Sequence, residues 1–215
     1  MLKTPTSSAA SRRRPLAAPQ RGSALIEVLV SILIVSFGLM ALAGLQTTMN
    51  SALLESYQRA QALTLLQDMA QRIETNQNNA ANYATHDLLG AGTALGTGDA
   101  QPATCSTTTI PGATRAQLDQ CEWSRLLKGA SETSSGGSSV GAMLGGRGCI
   151  QVIQATNTAT GVCQPGIYRI TVAWQGINAT VAPGAGQNCG TGEYTNETLR
   201  KVVSSQVLIP LPSCS

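Results

Sequence analysis

The apolar and polar positions divide the chain into distinct stretches. From Ala24 to Leu45 runs an apolar segment whose only polar side chains are Glu27, Ser31 and Ser36; as a helix it is long enough to cross a hydrocarbon core of about 30 Å. From Gln46 to about Ile73 apolar residues continue at wider intervals, at Leu53, Tyr57, Leu63, Leu66, Met69 and Ile73, which predicts an amphipathic helix prolonging the span. Glu55 with Arg59 and Asp68 with Arg72 form i,i+4 pairs that add about 0.2–0.5 kcal/mol each to a helix. The Asn76-Gln77-Asn78-Asn79 run is where that helix should fray, because asparagine side chains compete for backbone hydrogen bonds.

Further along, residues 82–112 are rich in Gly, Thr and Ala and read as a surface loop. A short helix is expected over about 115–128, with Leu118, Cys121, the Arg125 stem and Leu126 near one face and Trp123 and Leu127 on an adjoining one. The Ser- and Gly-rich stretch 131–139 reads as a connector. Strands are expected at about 149–155, 166–175 and 198–209, joined in order as an antiparallel meander. In the middle strand Tyr168, Ile170, Val172 and Trp174 share the more apolar face, which should cover the long helix, while Ile167, Arg169, Thr171 and Ala173 share the other. The expected fold class is α+β. A long N-terminal helix, half transmembrane and half amphipathic, packs on a small antiparallel sheet of about three or four strands.

Charge sets the orientation. Lys3, Arg12, Arg13, Arg14 and Arg21 precede the span with no acidic residue among them, and the positive-inside tendency keeps that end in the cytoplasm and exports the chain beyond Leu45. The chain of 215 residues has 14 basic and 11 acidic side chains, a formal charge of +3 that those five cations account for. No basic cluster remains beyond the span, so no nucleic-acid partner is expected.

All six cysteines, Cys105, Cys121, Cys149, Cys163, Cys189 and Cys214, lie beyond the span, in a compartment where disulfides persist. Their 15 possible connectivities are narrowed by the meander. Cys149 starts its first strand and Cys189 lies in the loop after its second, at one end of the sheet; Cys163 and Cys214 fall at the other, leaving Cys105 for Cys121. Pairing of Cys189 with Cys214 is the alternative. With one histidine, His86, and no CxxC, neither a metal site nor a cofactor is expected. No nucleophile motif accompanies His86, so an enzyme is not expected.

Glu27 is the costly residue. A carboxylate in a membrane-length segment is disfavoured by about 2.5–3.5 kcal/mol on insertion scales and calls for a cationic partner. Cleavage after Gly22 would remove the basic leader, keep the apolar helix and create a new α-amino group at Ser23, four residues from Glu27. This arrangement resembles the class III signal of type IV prepilins and pseudopilins. The resemblance implies that a prepilin peptidase removes residues 1–22, that Ser23 is N-methylated, and that Glu27 docks against the terminal ammonium of a neighbouring subunit.

The Asp119, Trp123 and Leu127 spacing, the segment Leu144-Gly145-Gly146-Arg147-Gly148-Cys149, the strand from Tyr168 to Trp174 and the final Arg200-Lys201-Val202-Val203 strand resemble the PilV family of minor pilins, the type IV pilus modification proteins. That resemblance implies a helix over 23–79 containing the span 24–45, and a periplasmic globular domain over 80–215. The protein would be single-pass in the inner membrane, a structural subunit that primes type IV pilus assembly, with incorporation in the extracellular pilus or its tip complex left open. The implied partners are the prepilin peptidase, other minor pilins, the major pilin, the inner-membrane assembly platform and a tip adhesin. Two alternatives stay open, a type II secretion minor pseudopilin and a single-span membrane-anchored periplasmic binding protein.

Overall fold

The computed structural model describes residues 23–137, 141, 143–159 and 161–211. The chain divides into two units between Thr48 and Met49. Helix α1 spans Ser23–Thr75. Its apolar run reaches a mean hydropathy of 2.6, none of that stretch is buried, and by length and composition it can cross a membrane.

The second unit has an α+β architecture. Its elements are the later part of α1, a 3-10 turn at Gln77–Tyr83, β1 (Leu95–Gly96), α2 (Arg115–Leu127), β2 (Arg147–Gln154), β3 (Gly166–Gln175) and β4 (Arg200–Ile209). The strands form one antiparallel sheet in the order β1-β2-β3-β4. The long meander β2-β3-β4 is thus joined by one additional, two-residue strand.

One face of the sheet carries the main core. Tyr168, Ile170, Val172 and Trp174 of β3 are buried there with Ala62, Leu65, Leu66, Met69 and Ile73 of α1 and Trp123 and Leu127 of α2. The α1 seam differs from the stripe expected from the sequence. Leu66, Met69 and Ile73 are buried, but Leu53, Tyr57 and Leu63 are exposed, and Ala62 and Leu65 take the inner positions. Ala62 is fully buried although its small side chain carries little weight in a hydrophobic pattern. On the opposite face Cys149, Ala173, Cys189 and Tyr194 form a smaller buried cluster, and Tyr194 Oη donates to the Gly145 carbonyl at 2.8 Å.

Helix boundaries follow from local chemistry. Asn76 leaves helical geometry at φ −119° and ψ 39°, and its side chain accepts from Asn79 Nδ2 at 2.9 Å while donating to Tyr83 Oη at 3.1 Å. Thr114 caps α2 in a reciprocal box with Gln117. The buried face of α2 holds Ala116, Asp119, Cys121, Trp123, Ser124 and Leu127. The face expected around Leu118 and Leu126 is only partly buried.

The stretch 82–112 is more than a surface loop. Thr85 and His86 donate their backbone N–H groups to the Ile150 carbonyl at 2.9 and 3.0 Å, Val152 N–H donates to the His86 carbonyl at 3.2 Å, and Thr85 Oγ1 accepts from Ile150 N–H at 2.9 Å. With β1 bonded at Gly148 and Arg147, this segment covers the outer side of β2. Its backbone supplies what its small side chains cannot signal.

Candidate functional site

In the apolar run the serines fold back onto the helix. Ser31 Oγ donates to the Glu27 carbonyl and Ser36 Oγ to the Ile32 carbonyl, each at 2.7 Å, so both hydroxyls are satisfied internally. Glu27 is exposed, and its carboxylate has no partner among the described residues. It is the one polar side chain between Ala24 and Leu45 without a hydrogen-bond partner among the described residues. Ser23 is the first residue of α1, whereas Gly22 lies outside the described residues.

In the second unit Arg72 does more than support its own helix. It bonds Asp68 at 2.8 Å, Asp119 at 3.0 Å and Glu122 at 2.7 Å, linking α1 to α2. Burial lowers its basicity, but the three carboxylates outweigh burial and hold the guanidinium firmly protonated. Asp119, only 2% exposed, also takes Arg115 at 3.0 Å and the Tyr83 hydroxyl at 2.5 Å. Burial, reinforced by that carboxylate, pushes the Tyr83 phenol up to about 12. The other i,i+4 pair expected on α1 is not formed: Glu55 accepts the Asn178 backbone N–H at 2.8 Å, and no ion pair joins it to Arg59.

The spacing of Asp119, Trp123 and Leu127 places all three on the buried face of α2. Trp123 Nε1 donates to the Leu65 carbonyl at 2.8 Å, and its ring lies against Gly148. Gly146 is needed for a similar reason, since a Cβ there would stand 2.7 Å from the Leu127 carbonyl oxygen. Arg147, between them, pairs with Glu193 at 2.9 Å.

Disulfides join Cys105 to Cys121 and Cys149 to Cys189. The first ties the long loop to α2 and the second ties the start of β2 to the β3–β4 loop. Cys163 is also disulfide-bonded, while Cys214, its expected partner, lies outside the described residues.

Asp99 fastens the middle of the long loop to α2, and no sequence pattern points to it. It accepts from Gly96 N–H at 2.8 Å, Ser124 Oγ at 2.6 Å, Gln101 N–H at 3.2 Å and Lys128 Nζ. Burial alone would raise its pKa, but these donors, Lys128 foremost, hold it below the usual carboxylate range. A depressed folded pKa contributes stability that is present above the unfolded value and lost as pH falls through the folded one. The melting-temperature gap between wild type and Asp99→Asn should therefore be widest near neutrality and close below about pH 4. A gap of equal size at both ends of that range would remove Asp99 as an acid-sensitive fastening.

The model of the Tt1218-like family, described as Type IV pilin Tt1218, matches residues 44–119. This supports the type IV pilin superfamily. No curated protein and no solved structure gave a match. The matched stretch begins at Gly44 in α1 and ends at Asp119, so it contains Arg72, Tyr83 and Asp119 of the charged clamp. Pilins are structural rather than catalytic, and the α+β outline, a long apolar helix with an antiparallel sheet and disulfides, is pilin-like. The match is consistent with a pilin structural subunit, and the apolar run, most of which precedes the matched stretch, can cross a membrane by its length and composition.

Proposed function

We propose that this chain is a minor pilin of the PilV kind, which primes assembly of a type IV pilus and can occupy its tip complex. The observation that supports the reading is Glu27, an exposed carboxylate without a partner among the described residues, in an apolar run (24–45) whose other polar side chains, Ser31 and Ser36, bond back to the helix. In this reading a prepilin peptidase cuts after Gly22, Ser23 becomes the methylated terminus, and Glu27 receives the terminal ammonium of an adjacent subunit. An ammonium and a carboxylate brought together in low dielectric each relieve the other's desolvation cost, so a correctly registered neighbour is favoured over a misregistered one.

The globular domain would then lie in the periplasm, where its disulfides persist, with the inner-membrane platform, other minor pilins, the major pilin and a tip adhesin as partners. The test is the N-terminal residue and mass of protein recovered from membranes, for wild type and Glu27→Ala. Both should begin at Ser23, and the variant should assemble few or no pili. A chain still beginning at Met1 would leave a simple membrane anchor, and normal pilus numbers in the variant would remove the docking role.

A further inference from the structure

β4 is the outermost strand of the sheet on the side opposite β1, and its outer side has no partner among the described residues. The Gly176 N–H donates to the Leu199 carbonyl at 2.8 Å. Carried along the β3–β4 register, this phase turns the N–H and C=O groups of Val202, Ser204, Gln206 and Leu208 away from β3. The outward carbonyl of Thr198 is already taken by Thr180 N–H at 2.8 Å, but from Val202 to Leu208 no backbone partner exists among the described residues. Residues 202–209 contain no charge and no proline, so the charges that blunt a sheet edge are confined to the start of β4, at Arg200 and Lys201.

The start of this open edge adjoins a cavity of about 410 Å³ whose lining includes Glu55, Arg59, Trp174, Thr180, Lys201 and Val202. Glu55 is occupied by Asn178 N–H. Lys201 Nζ donates to Thr180 Oγ1 at 2.7 Å, and neither Lys201 nor Arg59 has a carboxylate partner among the described residues. Trp174, in the wall, has a buried indole N–H without an acceptor. A strand added antiparallel to β4 begins beside Ile209 and ends beside Lys201, so its C-terminal end falls at this cavity.

We propose that β4 accepts an antiparallel strand from a partner protein whose C-terminal end is acidic, its carboxylate meeting Lys201 and Arg59. Main-chain bonds to Val202, Ser204, Gln206 and Leu208 supply the affinity, and the cationic cavity selects the terminus. A second copy fits less well. Pairing β4 with itself about Ser205 sets Lys201 opposite Ile209 and brings no carboxylate to the cavity. The inference stands on β4 and the cavity and does not depend on the pilus reading.

The test titrates full-length protein in detergent into a fluorescein-labelled peptide of alternating Thr and Val that ends in Asp with a free C-terminal carboxylate. Saturable binding is expected. Ser204→Pro removes the outward N–H and also the hydroxyl that accepts Gln187 Nε2 at 3.1 Å, so it is compared with Ser204→Ala, which loses the hydroxyl alone. The proline variant's melting temperature should stay within about 2 °C of that control while peptide affinity falls about tenfold. Replacing the peptide's end by Asn-amide, and Lys201→Glu in the protein, should each weaken binding several-fold. No saturable binding, equal affinity for Ser204→Pro and Ser204→Ala, or indifference to the peptide's terminal charge overturns the proposal. Should Ser204→Pro disturb folding, the charge series on wild-type protein decides alone. Self-association abolished by Ser204→Pro would assign the edge to a second copy and overturn the acidic partner.

Discussion

Gly148→Ala is expected to lower the stability of the globular domain by about 1–3 kcal/mol, the usual cost of overpacking a close-packed core. A Cβ at this position would lie 2.3 Å from Trp123 Cη2 and 2.8 Å from Leu127 Cδ1. Neither neighbour has room to withdraw. Trp123 and Leu127 are fully buried, and the indole is held in place by its bond to the Leu65 carbonyl. The cause can be isolated by repeating the substitution in a Trp123→Leu background, where the ring atoms that collide are gone. There the contact with Leu127 remains but the two closest collisions are gone, so Gly148→Ala should cost less, giving a coupling of about 1 kcal/mol or more between the two sites. Thermal or denaturant melts of the four proteins measure it, and an equal cost in both backgrounds would show that the ring is not the obstacle.

Removing the two described disulfides should have unequal effects. In the chain-entropy view a cross-link acts on the unfolded state and gains with loop length. Cys149 and Cys189 are separated by 40 positions and Cys105 and Cys121 by 16, which corresponds to about 4 and about 3 kcal/mol respectively. Cys149 and Cys189 also contribute to the buried cluster with Ala173 and Tyr194, so replacing both by alanine takes away packed sulfur as well as a constraint. The Cys149→Ala, Cys189→Ala protein should melt clearly below the Cys105→Ala, Cys121→Ala protein. The reverse order would mean that the loop fastened to α2 matters more to the folded state than chain entropy allows.

Where side chains carry the information, the fold is legible in the sequence. β3 alternates clearly enough to assign both of its faces, and a meander brings the residues flanking its turns, such as Cys149 and Cys189, to one end of the sheet. The long apolar helix and its break at Asn76 rest on composition and on asparagine's local bonding. Other features rest on geometry that no residue type announces. Ala62 is fully buried at the helix seam, and its small side chain carries little weight in hydrophobic periodicity. Arg72 and Asp68 look like an ordinary pair on one helix, and only the tertiary approach of α2 turns Arg72 into a junction with Asp119 and Glu122. The segment from Thr85 to Gly96 pairs with β2 through its backbone, so its small and polar side chains hide its role. At the candidate site Glu27 stands out in the sequence because a lone carboxylate is conspicuous in apolar surroundings. The satisfaction of Ser31 and Ser36, which leaves Glu27 as the polar side chain of that run without a partner among the described residues, becomes visible only in the helix.

The covering of β2 by residues 85–96 also limits what the sheet can build. Edge-to-edge fibres require two bare sides, one to receive a strand and one to offer the next, and an open head-to-tail contact repeats without closure. Here the outer side of β2 is occupied by the chain's own backbone, which contributes only the two-residue strand β1 to that edge, so the sheet offers far less strand there than along β4. Repeated edge-to-edge addition is therefore disfavoured on that side, where little strand is left to extend.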